Sequence, residues 1–109
     1  MMASEPTVSN AFQMFLSQAP RESQAWMRMV KELDVSSALD EKTKALAYLA
    51  VLASLRMTSG IPFHVLGAKR AGATRQEVVG AILVGLPAAG HGVTQALPDA
   101  LAAYDEQCG

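Results

Sequence analysis

The sequence predicts an all-α bundle of about six helices, and three observations carry that prediction. Apolar residues recur at three- and four-residue spacing through most of the chain. Caps and stops, Ser, Thr or Asp ahead and Gly or Pro behind, fall between the periodic stretches. No stretch makes a convincing strand: Val78-Val79 and Ile82-Leu83-Val84 have helical neighbours and a cap in front.

In chain order, residues 1–8 form a loose lead-in. Ser9 or Asn10 caps a short helix with Phe12, Phe15 and Leu16 on one side. Pro20 suits the first turn of a second helix over 21–33. Its stripe of Trp26, Met29, Val30 and Leu33 is expected in the core. Residues 34–37 are a polar break, and Ser37 or Asp40 caps the next helix. That helix opens on Glu41, Lys42 and Lys44, and from Ala45 to Leu55 it is apolar on nearly every face. A helix apolar all round must be covered all round. A small domain has too few other helices to do so, which predicts association between subunits.

Ser59-Gly60-Ile61-Pro62 interrupts that helix, and Pro62 opens the following one over 62–71. Gly72 stops it. Thr74 and Glu77 are spaced as a capping box for a helix through Val78, Val79, Ile82, Leu83 and Leu86, which Pro87 ends. Residues 88–92 are small and flexible. The last helix carries Val93, Leu97, Leu101 and Tyr104, with Pro98 kinking or splitting it.

At 109 residues the chain is long enough for one domain, 1–109. Half of its residues are hydrophobic and 17% are charged, so part of the apolar surface is expected between subunits. A net charge of −1 without a basic run leaves nucleic acid no electrostatic footprint. The apolar run around Ala45 to Leu55 is too short to span a bilayer. The N-terminus lacks the basic and apolar regions of a signal peptide. A lone cysteine, Cys108, permits no intrachain disulfide and no cysteine-pair metal site, which fits a reducing cytoplasm.

Two histidines hold the chemical interest. An imidazole titrates near neutrality and can move a proton or carry charge. His64, in the first turn after Pro62, is either such a group or a core-edge residue bonded to a backbone carbonyl. His91, in Gly90-His91-Gly92, is either functional or a cap or surface residue. Residues four away from His64 are Gly60 and Ala68, so no helix-spaced metal ligand accompanies it. Lys69, Arg70 and Arg75 form a basic cluster: a solvated face, or, beside His64, a holder of a substrate carboxylate.

The segment His64-Val65-Leu66-Gly67-Ala68-Lys69-Arg70-Ala71-Gly72-Ala73-Thr74-Arg75-Gln76-Glu77-Val78 resembles the central signature of the carboxymuconolactone decarboxylase and alkyl hydroperoxidase family. Leu39-Asp40-Glu41-Lys42-Thr43-Lys44 looks like the start of the family's preceding helix, so the likeness runs from Leu39 onward. It implies an alkyl hydroperoxidase-like bundle, and trimers or hexamers. The peroxidase branch carries Cys-x-x-Cys-x-x-x-His and a glutamate about three turns earlier. Those positions here hold Met57, Gly60, His64 and Ala45. Without a thiol at 57 or 60 that route to peroxide reduction is chemically excluded.

Gly85-Leu86-Pro87-Ala88-Ala89-Gly90-His91 looks like the decarboxylase branch's Gly-x-Pro-Ala-Ala-x-His segment. That resemblance implies a lyase needing no cofactor and no metal, acting on a small carboxylated lactone. It implies His64 as the group for charge stabilisation or proton donation, and His91 as a positioning group. Met57, Gly60, Phe63 and Leu66 would line the substrate and exclude water, and Arg70 would hold its carboxylate. The competing expectation is a non-catalytic helical oligomer that binds a small molecule or a protein.

Overall fold

The computed structural model describes residues 8–106. Residues 1–7 of the expected lead-in, and Cys108, lie outside the described residues. Among those described, all regular structure is helical. No helix there is long and apolar enough to cross a membrane. The chain divides into two compact units, residues 1–40 and 41–109.

The first unit is a helical pair, α1 (Asn10–Gln18) and α2 (Pro20–Ser36). Ser9 caps α1 as its residue type requires, its hydroxyl accepting from the Phe12 N–H at 3.1 Å. Pro20 occupies the first turn of α2, where its missing N–H costs nothing. The rings of Phe12 and Phe15 meet Trp26 edge-on, at centroid distances of 5.6 and 6.1 Å. Such edge contacts add to the area these rings bury.

Two expectations are corrected in this unit. The polar segment 34–37 does not break the chain before Ser37, because α2 runs on to Ser36. The serine hydroxyl bonds back to the Glu32 carbonyl inside the helix rather than capping another. The stripe of α2 is also not core: Trp26, Met29, Val30 and Leu33 are all exposed, Leu33 by 64%. Within its unit α2 has only α1 to pack on, and a pair of helices cannot enclose both sides of a stripe.

The second unit is built on α3 (Glu41–Ser54), which packs against both α4 (Ile61–Arg70) and α5 (Arg75–Leu83). After α5 come a single helical turn, α6 (Leu86–Ala89), a 3₁₀ segment (His91–Ala96) and α7 (Leu97–Asp105), which lies on α4. Leu49, Leu52, Ile61, Val65, Val78, Ile82 and Val93 form the core. Each large side chain buried there contributes roughly 1.5–3 kcal/mol. The apolar helix is α3, yet only Leu49, Leu52 and Ala53 of it are buried. Tyr48 and Val51 remain exposed on its other sides, and so does Leu55 just past its end.

The ends of α3 and α4 have the same backbone form. At α4, Ala73 N–H donates to the Ala68 carbonyl and Gly72 N–H to Lys69, both at 3.0 Å. At α3, Met57 N–H donates to Leu52 at 2.9 Å and Arg56 N–H to Ala53 at 3.1 Å. This is the Schellman closure, which needs one residue in the left-handed region. Gly72 supplies it at φ +100°, and Arg56 supplies it at φ +58°.

The capping box at Thr74 and Glu77 forms as expected: Glu77 N–H donates to the Thr74 hydroxyl, and Thr74 N–H to the Glu77 carboxylate. The helix it opens stops at Leu83, short of the expected Leu86. Pro87 ends nothing there, because it lies in the first turn of α6. Residues 88–89, expected to be irregular, complete that turn. Pro98 does split the last segment, into the 3₁₀ stretch and α7.

Candidate functional site

His64 faces α3 from the first turns of α4. Its ring centroid is 4.7 Å from that of Tyr48 and 5.2 Å from that of Phe63, whose plane stands at 84° to it. A Cβ placed on Gly60 would come within 3.9 Å of the imidazole and 3.7 Å of Leu52. Gly60 therefore lies next to the imidazole, where a side chain would pack against the ring and Leu52.

The imidazole is half-buried, and burial pushes its pKa below the ordinary 6.5 because the cation would lose solvation. Among the described residues His64 makes no hydrogen bond, and no buried side-chain nitrogen or oxygen lacks a partner. Its ring nitrogens therefore reach solvent. The bland alternative, an imidazole tied to a backbone carbonyl, is not what the structure holds. At neutral pH the resting group is a neutral imidazole with its nitrogens available, in tilted and edge contact with Tyr48 and Phe63.

The other expected site residues distribute as follows. Met57 and Phe63 are exposed by 51% and 40%, and Leu66 is half-buried. The expected water-excluding wall is thus open in the single chain. Arg70 follows His64 by six residues on α4, which places it about 9 Å along the axis and about 120° around it. Lys69 and Arg75 are engaged elsewhere. The Lys69 ammonium donates to the Tyr104 carbonyl at 2.7 Å and lies over its ring. Arg75 grips Asp105 with two bonds of 2.9 Å. Two members of the basic cluster thus tether α7.

His91 is exposed. Its carbonyl accepts from the Thr94 hydroxyl at 2.8 Å. The glycines around it have separate reasons. Gly90 takes φ +86°, and a Cβ on Gly92 would run into Nε, Nη2 and Cζ of Arg56. The guanidinium of Arg56 thus turns its Nε–Nη2 edge into the space that a Gly92 side chain would fill, and it donates to the Ala89 carbonyl at 3.4 Å. Among the described residues no three His, Cys, Asp or Glu side chains gather closely enough to hold a metal ion.

The family model for the carboxymuconolactone decarboxylase family matches residues 20–106. The chain belongs to the carboxymuconolactone decarboxylase family. No curated protein and no solved structure matches it. The match takes in α2, further toward the N-terminus than the signature around His64 reaches. In this carboxymuconolactone decarboxylase family member, sequence reasoning overlooked Tyr48 and Arg56. Tyr48 is hidden in an apolar run, where a tyrosine reads as packing. Arg56 had one faint signal, an arginine immediately after a long apolar helix, where a glycine stop would be ordinary.

Proposed function

We propose that the protein is a cofactor-independent lyase of the carboxymuconolactone decarboxylase type, acting on a small carboxylated lactone, with His64 as the proton-transfer group. The observation that carries this reading is the state of His64: half-buried against Tyr48 and Phe63, without a hydrogen-bond partner, and with a lowered pKa. In the reaction the bond from the lactone ring to its carboxylate breaks and carbon dioxide leaves. The electron pair is delocalised into the conjugated lactone as an enolate, and a proton then adds to carbon. A neutral imidazole N–H stabilises the enolate oxygen by hydrogen bonding. A lowered pKa also makes the imidazolium a stronger acid, which favours proton delivery to carbon once the ring has taken a proton from solvent. His91, exposed on its glycine-flanked loop, takes a positioning role. Met57 and Gly60 stand where a peroxidase of this family would have its thiols, and Gly60 lies next to the imidazole without a side chain.

The test is decarboxylation of a panel of carboxylated lactones, followed as loss of substrate absorbance and release of carbon dioxide. Wild-type turnover of at least one member is expected, falling by roughly a hundredfold or more in His64→Ala. Unchanged turnover in that variant, or no turnover by wild type across the panel, rejects the reading.

A second reading, a helical oligomer without catalytic activity, is favoured by apolar surface. An open groove of about 380 Å³ lies between α3 and α5, walled by Leu46, Ala47, Ala50, Ala81 and Val84. The exposed stripe of α2 adds apolar area of its own. Self-association as a trimer or hexamer, with Ala50→Glu shifting the sedimenting species toward monomer, supports an assembly through the groove. A monomer at micromolar concentration rejects it.

A further inference from the structure

The two Schellman closures of this chain form an internal comparison. Both need a residue in the left-handed region, and glycine is the residue that enters it without steric cost. At the end of α4 that residue is Gly72, and at the end of α3 it is Arg56. The hydrogen bonds are the same in register and within 0.1 Å in length, 3.0 and 3.0 Å against 2.9 and 3.1 Å. The backbone does not call for a side chain at Arg56. Strain of this kind persists where the side chain is used.

The side chain reaches back to the loop that follows α6. Its guanidinium lies on Gly92, at a position any Cβ would occupy, and one amino group donates to the Ala89 carbonyl at the long distance of 3.4 Å. A guanidinium has five N–H donors. Among the described residues no carboxylate pairs with this one, unlike Arg75 on Asp105 or Lys42 on Glu77. The loop that seats it, from Ala89 to Gly92, carries His91, whose side chain is exposed. Arg56 is also bonded in sequence to Met57, the first residue of the turn that leads through Gly60 to His64.

We infer that Arg56, seated on the Ala89–Gly92 loop beside His91, is the residue that binds the carboxylate of a small organic acid. This rests on the lyase reading above and names the group that holds the carboxylate there. A planar, fixed charge with free donors matches a carboxylate in geometry as well as in sign. The loop supplies the second half of the site. Gly92, having no Cβ, makes room for the Nε–Nη2 edge of the guanidinium, and the exposed His91, next to it in the chain, is assigned as one further donor to a ligand oxygen.

The test uses a ligand that cannot react: a saturated carboxylated γ-lactone, with its methyl ester as the uncharged counterpart, both titrated by calorimetry. Wild type binds the acid, and the ester roughly ten- to a hundredfold more weakly, the range for a hydrogen bond to a charged group. Arg56→Gly weakens the acid by a similar factor, leaves the ester where it was, and melts no lower than wild type because the left-handed strain is relieved. A purely structural clasp would give the opposite pattern, a lower melting temperature with unchanged binding. Gly92→Ala keeps the charge but displaces it, and also weakens the acid. Acid binding unchanged in Arg56→Gly, or equal binding of acid and ester by wild type, overturns the inference. Since the ligand is not turned over, acid binding that depends on Arg56 in a chain that decarboxylates nothing rejects the lyase and leaves this site standing. Turnover that depends on His64, with KM unchanged in Arg56→Gly, rejects this site alone.

Discussion

The rings of Tyr48 and His64 lie 4.7 Å apart at 58°, a contact between the middle of α3 and the start of α4. Tyr48 shields one side of an imidazole that has no hydrogen-bond partner among the described residues, and the loss of water is what lowers its pKa. Tyr48→Ala is therefore expected to move the His64 pKa up toward 6.5, read from the ring proton shifts in an NMR titration. A pKa that stays put would assign the desolvation to other neighbours.

The same shift makes stability depend on pH. The folded pKa of His64 lies below the ordinary 6.5, so in the window between them the unfolded chain binds more protons than the folded one. Stability falls as pH drops from neutrality through 6.5 and on through the folded value. His64→Gln, which cannot charge, is expected to flatten that part of the profile. Denaturant midpoints at pH 7.5, 6.5 and 5.5 measure it, compared with wild type at each of these ordinary buffer values (about one unit apart, spanning the His range).

The capping box predicts a local cost. Thr74→Ala removes the hydroxyl that accepts from Glu77 N–H, and is expected to destabilise the fold by about 1 kcal/mol in denaturant unfolding. The Glu77 carboxyl is held below its usual range first by the Thr74 backbone N–H and then by Lys42. Its contribution is present above the ordinary carboxylate pKa and is lost as pH falls through the lowered one. Glu77→Gln should accordingly leave the acid side of the stability profile shallower.

At Gly72 the backbone sits at φ +100°, with nothing within 4 Å of an added Cβ. A loss of stability in Gly72→Ala therefore reports conformation and not a clash. It is expected to cost roughly 1–2 kcal/mol. An unchanged melting temperature would mean that the turn relaxes to another form.

Leu49 is fully buried at the centre of α3. Leu49→Ala is expected to cost about 2–5 kcal/mol, the transfer of the side chain plus the cavity it leaves. Equilibrium unfolding checks this, and a cost under about 1 kcal/mol would mean that α4 and α5 close the gap.

Local signals were legible because their physics is local. Ser9 before Phe12, Pro20 at a first turn, Thr74 with Glu77, and Gly72 behind a helix each satisfy or terminate backbone bonds within four residues. The family signature around His64 rests on the same short range. The limits of α2 and α5 were misjudged where polar or proline residues have two uses. Ser36 can end a helix or bond back into it, and Pro87 can stop one helix or open another.

The sequence by itself determined an all-helical chain, its principal caps, its family and the absence of thiols at 57 and 60. Only the tertiary structure decided what each helix face meets. Within the first unit the α2 stripe stays exposed, although periodicity marked it for the core, because α1 is the one helix there to pack on. Tertiary packing set Tyr48 against His64 across sixteen residues of chain and laid Arg56 on Gly92 across thirty-six, by their numbering. Contacts at such separations depend on how helices pack, and no spacing along one helix encodes them.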